Sequence, residues 1–389
     1  LQYRSYSRVL GEFGIAVTPE VYEREWIAAG LGPEYAVREL GLPIGPLAWG
    51  EFAYSAEVRF PNRAAEAPAP LTIAVESDLF GFATALPAPF AKADDVTMPM
   101  MMSLEFPSPG EITTTGSLAG DVKWTARFEK PDATWDFDRG VLALGGDYPL
   151  AADVRGLHIH GQTPEVDLAE WLAIARRESG GLGIGERIRS IDIDVGYFFA
   201  VGQRFVNHRI RVDRSGEDWL IRLAGESADG QVTVPYDFAA GRPIMLEMER
   251  LVRPGNEDAA ADEETGLDPR TLPAITINAA DFGIGERRFG ALDTAFEKTG
   301  RGLEAASLRA EDQTFTIEGT AGWIMDAYEA SGQRTYLTGV LQSTNIERTM
   351  RRLGYEPGIL GDTMRVQFDV GWPGGPGREF LPHLNGTVE

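Results

Sequence analysis

Short segments in which apolar and polar residues alternate recur along the chain, and this period of two constrains the fold more than any other feature. Tyr54 to Phe60 alternates, and so do Leu71 to Ser77, Ile191 to Val195, Ile275 to Ala279 and Arg365 to Gly371. Alternation sends every second side chain to the same face of an extended strand, so such segments make sheets with one oily face and one wet face. Met98–Phe106, Gly110–Leu118, Val122–Phe128, Thr134–Leu144 and Gly156–Gly161 follow one another as short strand candidates, with turn residues between them. The 45 Gly and 24 Pro are spread through the chain, as many strands joined by turns require. The expected fold class is mainly β: elongated, repetitive antiparallel sheets with a few short helices.

Helix signals are brief. Thr18-Pro19-Glu20 offers an N-cap, a first-position proline and a first-turn acid, and Pro33 to Leu40 forms a second short segment. Thr163-Pro164-Glu165 predicts a helix with Leu168, Trp171, Leu172 and Ala175 on one face and Arg176 and Arg177 in its last turn. Thr344 or Asn345 caps a helix that runs into Met350–Leu353.

Two internal echoes organise the chain. Val37–Pro43 followed by Glu57–Pro61 reads like Met350–Gly358 followed by Arg365–Gly375: a helix end, a Gly/Pro turn, then an alternating strand. Ile191-Asp192-Ile193-Asp194-Val195, with Phe198 and Arg204-Phe205, matches Ile275-Thr276-Ile277-Asn278-Ala279, with Phe282 and Arg288-Phe289, at a constant offset of 84 residues (275 minus 191). Strands at Arg209–Val212, Trp219–Ala224 and Gln231–Val234 follow the first copy; Leu292–Phe296, Leu303–Ala310 and Thr314–Trp323 follow the second. The expected division is a helical lead-in at 1–48, a first β-meander at 49–178, repeated meanders at 179–342, and a short helix with the start of another β unit at 343–389. Ser77–Lys92, punctuated by proline, reads as an edge or covering loop, and the acid-rich stretch from Arg253 to Leu267 as an exposed loop.

Net charge is −23 over 389 residues, without a basic tract, which argues against nucleic-acid binding. The absence of cysteine removes disulfides, thiolate catalysis and Cys-ligated metals. No apolar run approaches the ~20 residues that cross a bilayer. The start at Leu1 and the strand-like end at Thr387-Val388-Glu389 lead us to expect a piece of a longer protein.

Chemical motifs are sparse. His158 and His160 share one strand face, but spacing suggests no third metal ligand. Gly181, Gly183 and Gly185 follow a helix rather than a strand, so a dinucleotide loop is out of context. Gly225-Glu226-Ser227-Ala228-Asp229 misses the nucleophile elbow at its last position. The acidic loop lacks the regular ligand alternation of a Ca²⁺ site. Asp192 and Asp194 read as the wet face of a strand, and Asn385-Gly386-Thr387 fits a glycosylation sequon that needs a secretory context. No catalytic residue, metal or cofactor is indicated, and the chain is not expected to be an enzyme.

Leu353-Gly354-Tyr355-Glu356-Pro357-Gly358, with Phe368-Asp369-Val370-Gly371-Trp372-Pro373-Gly374-Gly375-Pro376 and Leu384-Asn385-Gly386, resembles the C-terminal region of the YhdP family. Three further stretches resemble it in the same order: Val75–Leu79 with Leu86–Pro89, Val166–Leu172, and Asp268–Ile275. That family belongs to the AsmA-like superfamily, which also contains TamB. The resemblance implies a periplasmic protein held in the Gram-negative inner membrane by a helix outside this chain. Its implied partners are phospholipid acyl chains in an open apolar groove, moved between inner and outer membranes, with membrane contacts made by parts outside this chain. Protein partners are not named by it. On that reading Ile191, Ile193, Val195, Ile275, Ile277, Val366, Phe368 and Val370 are the candidate groove lining. The alternative is a periplasmic scaffold or interaction module with closed β-sandwich cores, in which the same residues are ordinary core.

Overall fold

The computed structural model describes residues 47–61, 69–131, 135–168, 170–171, 187–200, 203–254, 268–329, 331–358, 361–376 and 383–389. The helices read within the first 46 residues, the end of the helix after Trp171, the glycine-rich loop at 181–185 and the acidic stretch 255–267 lie outside them. The described chain is mainly β and divides into two compact units, Leu1–Ile193 and Asp194–Glu389.

In the first unit, β1 (Ala48–Gly50) and β4 (Phe82–Thr84) pair with each other as a two-stranded sheet. The stretch read as a cover thus builds its own small sheet, and Lys92 Nζ ties it together by donating to the Phe82 carbonyl at 2.6 Å. A longer ladder runs β2 (Ser55–Arg59), β3 (Leu71–Ser77), β5 (Met100–Phe106), β6 (Glu111–Leu118), β7 (Val122–Glu129), β8 (Asp136–Leu144) and β9 (Gly156–Asp167). Each neighbouring pair is antiparallel except β8–β9, which is parallel. A parallel step needs a connection that runs back the length of a strand. Residues 145–155 supply it, anchored by Lys123 Nζ on the Gly146 carbonyl, by Arg139 Nη1 on the Asp153 carbonyl at 3.1 Å, and by Arg155 on Asp136 at 3.1 Å. Leu71, Phe106, Ile112 and Phe128 form a buried cluster on one face of this ladder.

The helix read at Thr163 is corrected. Residues 163–167 continue β9, and the helical turn begins at Leu168, with Asp167 Oδ1 accepting from the Glu170 N–H at 3.2 Å. The Thr163 side chain is buried within the strand, so tertiary pairing overrides a good local cap.

β10 (Ile188–Ala200) spans the boundary between the units. The second unit continues with β11 (Gln203–Ser215), β12 (Asp218–Ala224), β13 (Ala228–Pro235), β14 (Ile244–Arg253), β15 (Ile275–Ile284), β16 (Arg287–Lys298), β17 (Gly302–Glu311), β18 (Phe315–Met325), β19 (Gln333–Ser343), helix α1 (Ile346–Arg352), β20 (Met364–Pro373) and β21 (Asn385–Val388). From β11 to β21 each strand pairs with the next. Only β14–β15 is parallel, so each unit is an antiparallel ladder with one parallel step. β14 is also a strand that the sequence reading did not identify.

The 84-residue echo is structural. β10 and β15 carry Phe198 and Phe282, whose partners Phe205 and Phe289 on β11 and β16 stand at 6.0 and 5.7 Å with interplanar angles of 37° and 36°. β11 and β16 begin 84 residues apart (287 minus 203), as do β12 and β17 (302 minus 218). Asn345 is the N-cap of α1, its side chain accepting from Arg348 N–H at 3.0 Å, and Gly354 (φ 77°) follows the helix in the left-handed conformation that glycine favours.

Candidate functional site

The cross-strand registers of the second unit line side chains into rows. One row runs Val212, Ile221, Val232, Leu246, Ile277, Thr294, Leu308, Gly319, Gly339, Phe368. A parallel row on the same face includes Trp219 and Val234, Ile275 and Phe296, and Ala305, Ala321, Leu337 and Val370. The intervening residues form the other face and read Arg211, Arg222, Gln231, Glu247, Asn278, Asp293, Arg309, Glu318. One sheet therefore has a continuous apolar face and a continuous charged face.

Burial differs along the apolar face. Val232, Leu246, Ile277, Leu308, Phe368 and their neighbours Ile275, Phe296, Leu337 and Val370 are half-buried. On one side this band is bordered by Met248, Ala279, Leu292, Ala310, Ile317 and Leu341, all buried. On the other side Leu303, Trp323 and Thr335 are buried. The charged face is exposed over its middle, where Ala280, Ala291 and Ala295 are as exposed as the arginines, and closes at Gly322 and Ile324 near the end of β18. Within the described residues of this unit, the ladder is the one sheet present, and no second sheet lies over the band.

The ladder curls toward its apolar side. Past β20 the chain turns back so that a Cβ built on Gly375 would stand 3.2 Å from Trp323 Cζ2, and Thr335 Oγ1 donates to the Gly374 carbonyl at 2.8 Å. Two residues on, the Pro376 carbonyl accepts from Arg253 Nη1 at 2.7 Å, at the end of β14. Six ladder steps separate β14 from β20, about 29 Å in a flat sheet, far beyond the reach of one arginine. Twist and coiling accumulated over those strands bring the two ends together.

Of the candidate residues, Ile275, Ile277, Phe368 and Val370 lie on the half-buried band, and Val366 lies on its border row beside Leu341, itself half-buried. On β10, Ile191 is half-buried, whereas Ile193 (7 % exposed) and Val195 (2 %) are sealed. Sequence reasoning missed Leu246, because it missed β14. The signal was there: Ile244, Leu246 and Met248 alternate with Met245, Glu247 and Glu249.

The first unit repeats the scheme. Val75, Met102, Gly116, Trp124, Leu142 and Ile159 form an apolar row, and Val58, Ile73, Leu104, Thr114, Ala126, Gly140 and Leu157 the next. The opposite face carries Ser103, Thr115, Thr125, Val141 and His158.

The histidines are structural here. His158 Nδ1 pairs with Ser190 Oγ at 2.8 Å, while His160 is exposed. His208 is buried, and its Nε2 accepts from the Ala228 N–H at 3.2 Å; burial holds its imidazole pKa below the usual value, against backbone hydrogen bonds that act the other way. Among the described residues no group of three or more His, Asp or Glu is placed to hold a metal ion. Two shallow depressions of about 680 and 600 Å³ lie on the charged face, lined in part by Glu247 and Glu249 with Arg309 or Arg222. A strongly twisted sheet is saddle-shaped, so concavity on this face accompanies curling of the other.

Compared with known proteins, the chain matches the family model described as YhdP protein over residues 36–389. No curated protein and no solved structure matches it.

Proposed function

The chain belongs to the YhdP family of bacterial envelope proteins, and we propose that its sheets form part of a conduit in which phospholipid acyl chains lie on the apolar face. One observation carries the reading: a band of large apolar side chains, half-buried, crosses the strands of a single curled sheet, and among the described residues of its own unit no second sheet lies over it. Apolar surface left in this state favours an apolar occupant, at ~0.8 kcal/mol per CH₂ buried. Because Val, Ile, Leu and Phe recur along the rows, with Thr294, Gly319 and Gly339 between them, an acyl chain displaced by one strand meets similar surroundings. Movement along the band then costs little. The role is one of binding and passage, with no catalytic step.

No described helix is long and apolar enough to cross a membrane, so in this reading the inner-membrane anchor belongs to another part of the protein and this chain occupies the periplasm. Closed sandwich cores are the competing reading. They would need a second apolar layer against Leu246, Ile277 and Phe368.

A photo-crosslinking amino acid at Ile277 is expected to capture phospholipid in cells, and one at Asn278, on the charged face, is expected to capture none. Absence of lipid adducts at both Ile277 and Leu246 would overturn the conduit. Ile277→Arg is expected to abolish lipid capture at Leu246 with a stability loss under about 2 kcal/mol, since a half-buried arginine can snorkel to water.

A further inference from the structure

We propose that a rim row of the second unit, Arg253–Ile284–Arg287, receives the phosphate of an anionic amphiphile whose chains lie on the apolar face. This rests on the conduit reading and adds to it where the head group sits. Arg253 pairs with Ile284 in the parallel β14–β15 ladder, and Ile284 pairs with Arg287 across β15–β16, so the three share one row and one face. The two arginines are two ladder steps apart, about 10 Å between backbones, a span that two guanidinium groups close around one phosphate. That face is the apolar one: Phe282, which faces Leu251 on β14, lies two residues from Ile284, and its ring is 5.7 Å from that of Phe289. Both rings are half-buried, so apolar surface begins directly beside the row.

The state of Arg287 points to a ligand. The chain carries 59 Asp and Glu against 36 Lys and Arg, so carboxylates are in excess. Around Arg287, Arg250 pairs with Asp281, Arg309 with Glu311 and Glu318, and Arg352 with Asp312, while Arg288 donates to the Gly285 and Arg287 carbonyls. The Arg287 side chain makes no hydrogen bond or ion pair to any described residue; its guanidinium lies 5.7 Å from the centre of the Tyr355 ring, and its buried Nε has no acceptor. A buried donor left unpaired destabilises the site, and an incoming anion removes that cost. Stacking on Tyr355 leaves the edge of the guanidinium, where its N–H groups point, available for a bidentate acceptor. Arg253 already donates to the Pro376 carbonyl, a neutral partner that a phosphate oxygen outcompetes as a charge-assisted acceptor.

The test uses the purified chain and two fluorescent probes with identical acyl chains, a phosphatidic acid and a diacylglycerol. Arg287→Gln is expected to weaken phosphatidic acid binding about tenfold and leave diacylglycerol binding unchanged, with Arg287→Lys between wild type and Gln. Inorganic phosphate at millimolar concentration is expected not to compete. If the two probes weaken equally, or neither weakens, Arg287 has no head-group role and the proposal fails while the conduit stands. Competition by inorganic phosphate would assign the row to a free anion and overturn the lipid source. Failure of both probes to bind the wild type would instead bring down the conduit reading itself.

Discussion

The two units write their apolar faces in the same language and their outer faces in different ones. In the first unit charged residues such as Lys123, Arg127 and Arg139 share the outer face with small ones, and Ser117, Thr125, Val141 and Ala143 on it are all buried, beside the connection that returns from β8 to β9. In the second unit the outer face is mostly exposed and charged, with Arg222 on Asp213, Arg250 on Asp281 and Arg309 on Glu318. Exposed pairs of this kind contribute about 0–1 kcal/mol each, so they secure wetness more than stability. Two solutions for one face and one solution for the other locate the constraint: the apolar side is what both units have in common. A second contrast lies within that side. The first unit gathers Leu71, Phe106, Ile112 and Phe128 into a sealed cluster, while the second spreads Ile277, Leu246 and Phe368 along a half-buried band.

Phe128→Ala should therefore cost about 3–5 kcal/mol, as a buried aromatic does, and Phe368→Ala only about 1–2 kcal/mol in urea unfolding. Equal losses would mean that the band is a closed core and would break the contrast. The outer faces offer the next largest difference. Thr125→Arg forces a charge into a buried position and should destabilise by about 2–3 kcal/mol, whereas Thr320→Arg, exposed on β18, should stay within about 0.5 kcal/mol. If both are tolerated, the outer face of the first unit is as open as that of the second.

A smaller effect is set by pH. Because burial depresses the folded-state pKa of His208, its contribution is fully present above the unfolded value of about 6.5 and is lost as pH falls through it. The urea midpoint should fall between pH 7.5 and 5.5, and His208→Gln should reduce that fall; an unchanged slope would remove His208 as its source. The smallest effect belongs to Arg309→Ala, expected to change stability by under about 1 kcal/mol and by less still in high salt.

Much of this architecture was legible because a period of two survives in sequence whatever the strand pairs with. Leu71–Ser77 is identical in reading and structure, and Asn345 is the cap its chemistry suggested. What failed had physical reasons. Thr163-Pro164-Glu165 is a sound helix start in isolation, but the ladder held those residues extended as the end of β9. In β14 the alternation slips where the β13–β14 register shifts near Gly230, so Arg250-Leu251-Val252 hides a strand that Ile244–Met248 announces. Parallel pairing is invisible to local pattern, since it depends on which way the chain returns. The candidate site was legible as faces; its accessibility was not, because alternation marks Val195 and Ile277 alike while curvature seals one and leaves the other half open.

The matched Phe pairs and strand starts also make length adjustable. Removing residues 191–274 would deliver the chain from the strand after β9 directly into the equivalent of the one it lost, with the faces still in phase. Five strands would vanish, about 24 Å of ladder, without any side chain changing sides. A gene carrying this spacing can lengthen or shorten its product in whole steps, as one fits links to a chain, and tune reach separately from chemistry.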